Sequence, residues 1–163
     1  MPGVTSSPDP SLAARALDLA RRGLTRLGAP AELPRRLLVV DTERQLAVWL
    51  EDGNAAAAWP VSTARAGIGG VEGSFRTPPG WHRIRVRIGE DAAPGTVFVS
   101  REPTADKWRG EAREDDLILT RILTLEGLED GVNRGPGCDS LVRYIYLHGT
   151  NHEGLLGRPV SHG

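Results

Sequence analysis

Three of the four histidines, His148, His152 and His162, fall within the last sixteen residues. They sit in Tyr144-Ile145-Tyr146-Leu147-His148-Gly149-Thr150-Asn151-His152, then a Gly/Pro-containing loop, then Val160-Ser161-His162-Gly163. Side chains alternate along a strand, so Tyr144, Tyr146 and His148 are expected on one face, with Ile145 and Leu147 on the other. A histidine at a strand end, followed by glycine, is held by a rigid element and open on one side, which suits a general base. The same placement equally suits a histidine satisfied by backbone. His148 and His152 also stand four apart, with His162 as a possible third zinc ligand. That spacing aligns two imidazoles only on a helix, and Gly149 with the preceding strand argues against one. The single cysteine, Cys138, lies in Gly135-Pro136-Gly137-Cys138-Asp139 and reads as a thiol in a turn. A lone cysteine with distant histidines is also the pattern of a nucleophile. Trp49, Trp59, Trp81 and Trp108 could stack on sugars, although tryptophans of a β domain are more often core or rim residues.

The elements that must position these groups change character near residue 35. Residues 1–9 are rich in Pro, Ser and Gly and are expected to be loose. A helix follows, capped by Asp9 or Ser11, with Pro10 in its first turn and Gly28 with Pro30 ending it. Leu12, Ala16, Leu17, Ala20, Leu24 and Leu27 form its apolar stripe, which packs on the domain or on a preceding segment. Beyond it, short runs predict strands at Leu37–Val40, Leu46–Leu50, Ala55–Val61, Trp81–Ile88, Thr96–Arg101, Leu117–Leu125 and Arg143–His148. Turns at Asp41–Gln45 and Asp52–Asn54 join the first three in a meander. Twenty Gly and twelve Pro punctuate the chain, as in a mainly β sandwich or barrel.

The chain is long enough, at 163 residues, to bury a core without metal or disulfides. Twenty basic against twenty-one acidic residues leave a net charge of −1. That excludes the broad basic field of a protein held to nucleic acid by phosphate contacts. No apolar run reaches the about 20 residues of a membrane span. The first helix is broken by Arg15, Asp18, Arg21, Arg22 and Arg26, so no signal peptide is visible.

His148-Gly149-Thr150-Asn151, a loop, then Ser161-His162-Gly163 resembles the active-site signature of the YkuD-type L,D-transpeptidases. Upstream, Trp59-Pro60-Val61-Ser62-Thr63 and Thr77-Pro78-Pro79-Gly80-Trp81-His82-Arg83-Ile84 resemble two further segments of that family, in the family's order. The resemblance implies a mainly β, YkuD-like catalytic domain over 35–163, preceded by a loop and amphipathic helix over 1–34. It implies a cysteine acyltransferase that cleaves the bond before a terminal D-alanine in a peptidoglycan stem peptide and holds the acyl group as a thioester. His148 would be the base, with the Gly149 carbonyl fixing its tautomer. Backbone N–H groups around His162 and Gly163 would form the oxyanion hole. Tyr146, Asn151 and Ser161 would support the site or touch substrate. No cofactor is implied. Stem peptides, and carbapenem-type β-lactams as acylating inhibitors, would be the partners, in the periplasm or cell envelope. In the family a cysteine directly follows Ser-His-Gly, and an arginine lies beyond it. The sequence stops at Gly163, so a C-terminal truncation is expected. A catalytically inactive cell-wall binding module is the alternative.

Overall fold

The computed structural model describes residues 9–28 and 32–162. The segment 1–8, Pro30 and Gly163, on which some of the expectations above fall, lie outside the described residues. The chain divides into two compact units. One comprises the described residues up to Gly67 together with Leu155–His162, the other Ile68–Gly154.

The first unit carries a helix, α1 (Pro10–Leu27), and a meander of β1 (Arg36–Asp41), β2 (Leu46–Glu51) and β3 (Asn54–Pro60) in the order β1-β2-β3. Asp9 caps the helix by accepting from the Ser11 N–H at 2.8 Å. Gly28 closes it in the left-handed region at φ 63°, which a β-carbon would strain. The buried stripe is Ala16, Ala20, Gly23 and Leu24, and the three small residues among them let the helix lie close against the sheet. Val39, Ala47, Val48 and Leu50 are buried on the sheet side. Arg15 reaches from the helix to the buried carboxylate of Asp41 and to Glu43. Asp41 also accepts from the N–H groups of Glu43 and Arg44 at 3.1 and 3.2 Å. The Arg15 guanidinium, with these N–H groups, holds the Asp41 carboxyl below its ordinary range.

The second unit is built on a five-stranded antiparallel sheet. Its strands are β4 (His82–Ile88), β5 (Thr96–Val99), β6 (Glu102–Lys107), β7 (Ile118–Gly127) and β8 (Tyr146–Gly149). The long β7 is central. Leu123 faces Arg87 of β4 on one edge and Leu147 of β8 on the other, and Leu119 faces Val97 of β5 and Gly149 of β8. Val97, Leu117 and Leu119 form a core cluster on which Trp108 packs, and Ile122 is wholly buried.

The expected mainly β architecture with one N-terminal helix is present. Beyond shifts of a residue or two at strand ends, two differences from expectation stand out. Ser100 and Arg101 are not the end of β5 but a turn, with β6 running back from Glu102. The last strand starts at Tyr146 rather than Arg143. Tyr144 has φ 59°, in the left-handed region and outside the range of a regular strand. Arg143 is drawn aside instead, donating to the carbonyls of Gly69, Gly70 and Arg76 at 3.4, 3.0 and 2.7 Å.

Candidate active site

His148 and Gly149 close β8 against β7, with Ile122 opposite His148 and Leu119 opposite Gly149. A β-carbon on Gly149 would meet the Leu119 carbonyl oxygen at 2.8 Å, so glycine permits the strands to pair here. The His148 ring is exposed. Its Nδ1 lies 2.8 Å from the carbonyl oxygen of Gly149. A carbonyl only accepts, so Nδ1 carries the proton and Nε2 of the neutral ring is left with its lone pair. That is the form that can take a proton from a thiol or amine.

Tyr146 precedes His148 by two residues and is half-buried. Burial pushes its phenol up, and the nearby charge of Arg101 opposes that push. Asn151 has its amide committed to backbone: Oδ1 accepts from the Leu117 N–H and Nδ2 donates to the Asp115 carbonyl, both at 2.9 Å. It ties the segment after β8 to the start of β7. His152 stands by Asp116, with Nε2 4.0 Å from the carboxylate.

Ser161 and His162 belong to the first unit. Ser161 pairs with Ala64 in a parallel bridge. Its N–H donates to the Thr63 carbonyl at 3.1 Å, and its carbonyl accepts from the Arg65 N–H at 2.9 Å. Val160 donates to the Ser62 hydroxyl at 3.3 Å. The receiving segment is itself propped from below by Gln45. That buried side chain accepts from the Thr63 N–H at 2.8 Å and donates to the Thr63 hydroxyl at 2.8 Å and the Thr42 carbonyl at 2.7 Å. Sequence reasoning placed Gln45 in a polar turn and passed over it; a glutamine ending a turn before an apolar strand is too weak a signal. His162 is exposed.

Among the described residues, no three His, Cys, Asp or Glu side chains gather to hold a metal. Cys138 is buried, and its thiol donates to the Arg134 carbonyl at 3.3 Å.

A polar cluster that the sequence did not announce supports the approach to β4. His82 Nδ1 lies 3.0 Å from the Gly80 carbonyl and Nε2 lies 2.9 Å from the Ser140 hydroxyl. The carbonyl again dictates an Nδ1–H tautomer, so the Ser140 O–H donates to Nε2. Burial pushes the His82 imidazole below its ordinary value, with the Gly80 carbonyl and the Glu129 charge pulling the other way. The folded protein therefore binds this proton less readily than the unfolded chain. Stability from this source is intact above the unfolded value of 6.5 and is lost as pH falls from there through the folded value. Urea midpoints are expected to drop between pH 7.5 and 5.5, and His82→Gln should flatten that drop. An equal slope in both proteins would refute the assignment.

A model of the YkuD family, the L,D-transpeptidase catalytic domain, matches residues 35–163. Searches of curated proteins and of solved structures returned no match.

Proposed function

We propose, from the premise that this chain belongs to the YkuD family of L,D-transpeptidase catalytic domains, that it serves thioester acyl transfer on peptidoglycan stem peptides. The catalytic domain runs over 35–163 in this reading, with 1–34 as an N-terminal addition, and the protein works in the cell envelope. Among the described residues no helix is long and apolar enough to cross a membrane.

The observation that carries the reading is the exposed imidazole of His148 with its Nδ1–H held by the Gly149 carbonyl. Nε2 accepts the proton of the thiol that the family places directly after Ser161-His162-Gly163, and the thiolate attacks the carbonyl before a terminal D-alanine. The carbon–nitrogen bond breaks, the imidazolium gives its proton to the departing amine, and a thioester remains. An amine from a second stem then attacks, His148 accepts its proton, and the sulfur leaves as thiolate to be reprotonated. N–H groups around His162 and Gly163 receive the oxyanion in both steps, and one such donor is typically worth about 2.7–4 kcal/mol. The anchoring of Ser161 between Thr63 and Arg65 supports a fixed path for that segment.

A protein carrying cysteine directly after Gly163 is expected to gain the mass of one intact carbapenem, because thiolate addition opens the lactam without loss of atoms. Intact-mass spectrometry reads this directly. No adduct after prolonged incubation, with the fold intact by circular dichroism, defeats the proposal.

A further inference from the structure

Ser100 and Arg101 form the two-residue turn between β5 and β6, and both have positive φ, 50° and 69°. Glycine or asparagine meets that geometry with little strain, whereas arginine does not, so the turn holds an unfavourable backbone to present this side chain. Tyr144 is held in the same region at φ 59° and its side is 61% exposed. The guanidinium carbon of Arg101 lies 5.1 Å from the centroid of the Tyr144 ring, within cation–π range. Tyr144 in turn meets Tyr146 edge to face, with centroids 6.4 Å apart and planes at 63°. Tyr146 stands two residues before His148 on β8, so their side chains leave the same face of the sheet. All four residues lie within the Ile68–Gly154 unit.

This row has unused hydrogen-bonding capacity. Among the described residues no carboxylate pairs with Arg101, and neither tyrosine hydroxyl has a hydrogen-bond partner. Arg83 of β4, also exposed, is by contrast locked to Glu126 by two bonds of 2.9 and 2.8 Å.

We infer that Arg101, Tyr144 and Tyr146 form a subsite for a carboxylate carried by the peptide acyl donor, beside the carbonyl on which His148 acts. The inference deepens the acyl-transfer reading and rests on it. The guanidinium offers a planar fork of N–H donors that matches two carboxylate oxygens. The phenols add O–H donors. Stacking on Tyr144 holds the fork before the ligand arrives, which lowers the ordering cost of binding. One cation with neutral hydroxyls suits a singly charged group, and a phosphate dianion would call for a second cation.

The test titrates the 163-residue protein with two forms of a stem tetrapeptide, followed by NMR shifts of Tyr144, Tyr146 and His148. One form carries its side-chain carboxylate free and the other carries it as a carboxamide. The free acid is expected to bind at least about tenfold more tightly, as a charge-assisted bond implies. Arg101→Gln should erase the preference, and 0.5 M salt should shrink it. Arg101→Lys keeps the charge, loses the fork, and should retain only part of the preference; it also serves if the glutamine variant does not fold. Equal binding of the two peptides, or a preference unchanged in either variant, overturns the subsite and leaves acyl transfer standing. Binding of neither peptide overturns both.

Discussion

Replacing His148 by alanine is expected to slow carbapenem acylation of the cysteine-bearing protein by about 10²–10⁴-fold, the usual worth of a positioned base. The sulfur must lose its proton before it can attack, and at neutral pH an ordinary thiol is mostly protonated. The bond from Nδ1–H to the Gly149 carbonyl keeps Nε2 ready to accept. Pairing of His148 with Ile122 fixes the ring on a strand rather than on a loop. His152→Ala is the matching control, because that ring faces Asp116 at 4.0 Å and no step is assigned to it; its rate should equal that of the parent. Time courses of intact mass give both numbers. If His148→Ala acylates at the parental rate, the base lies elsewhere.

The largest loss of stability is expected from Asn133→Ala, about 3–5 kcal/mol in unfolding free energy, since each buried group left without its partner costs about 1–3 kcal/mol. Asn133 is wholly buried. Its Oδ1 accepts from the Glu129 N–H at 2.9 Å, and its Nδ2 donates to the carbonyls of Pro79 and Trp81 at 2.9 and 3.0 Å. The side chain thus joins the Thr77–Trp81 segment to the turn after β7. Glu129, also buried, adds a bond from the Trp81 N–H at 2.7 Å. The surroundings are tight: a β-carbon on Gly127 would stand 2.0 Å from the Asn133 carbonyl oxygen. Asn133→Asp keeps the shape but removes both donors and sets a carboxylate oxygen against two carbonyls, so it should be no better than alanine. Urea denaturation decides, and a midpoint close to the parent's would show that water replaces the amide without penalty.

Much of the fold could be read from local chemistry. Asp9, Pro10 and Gly28 marked the helix because caps act within a few residues of the groups that they satisfy. β1, β2, β4 and β7 announced themselves by β-branched and leucine runs. β6 did not: Glu102-Pro103-Thr104-Ala105-Asp106-Lys107 is polar, mostly exposed and contains proline, so it carries no apolar alternation to betray a strand. Its existence depends on pairing with β5, a property of the neighbour. The start of β8 was misplaced for the same reason. Arg143 and Tyr144 look like strand residues until the carbonyls of Gly69, Gly70 and Arg76, some seventy positions away, claim the guanidinium.

By itself the sequence determined the type of fold and the family, because these are matters of residue type and short-range pattern; the resemblance implied the contact of the strand-end histidine with the Gly149 carbonyl, and the structure supplies it. Only the tertiary structure decided the long-range contacts within each unit: Arg101 over Tyr144, His82 on Ser140, Gln45 under Thr63, Asn133 spanning two segments. Each of those contacts closes a loop of many residues, from eighteen between Gln45 and Thr63 to fifty-eight between His82 and Ser140. Hydrogen bonds and ring contacts of a few ångströms leave no periodic trace in a chain, and they exist only where packing of the apolar residues brings distant backbone together.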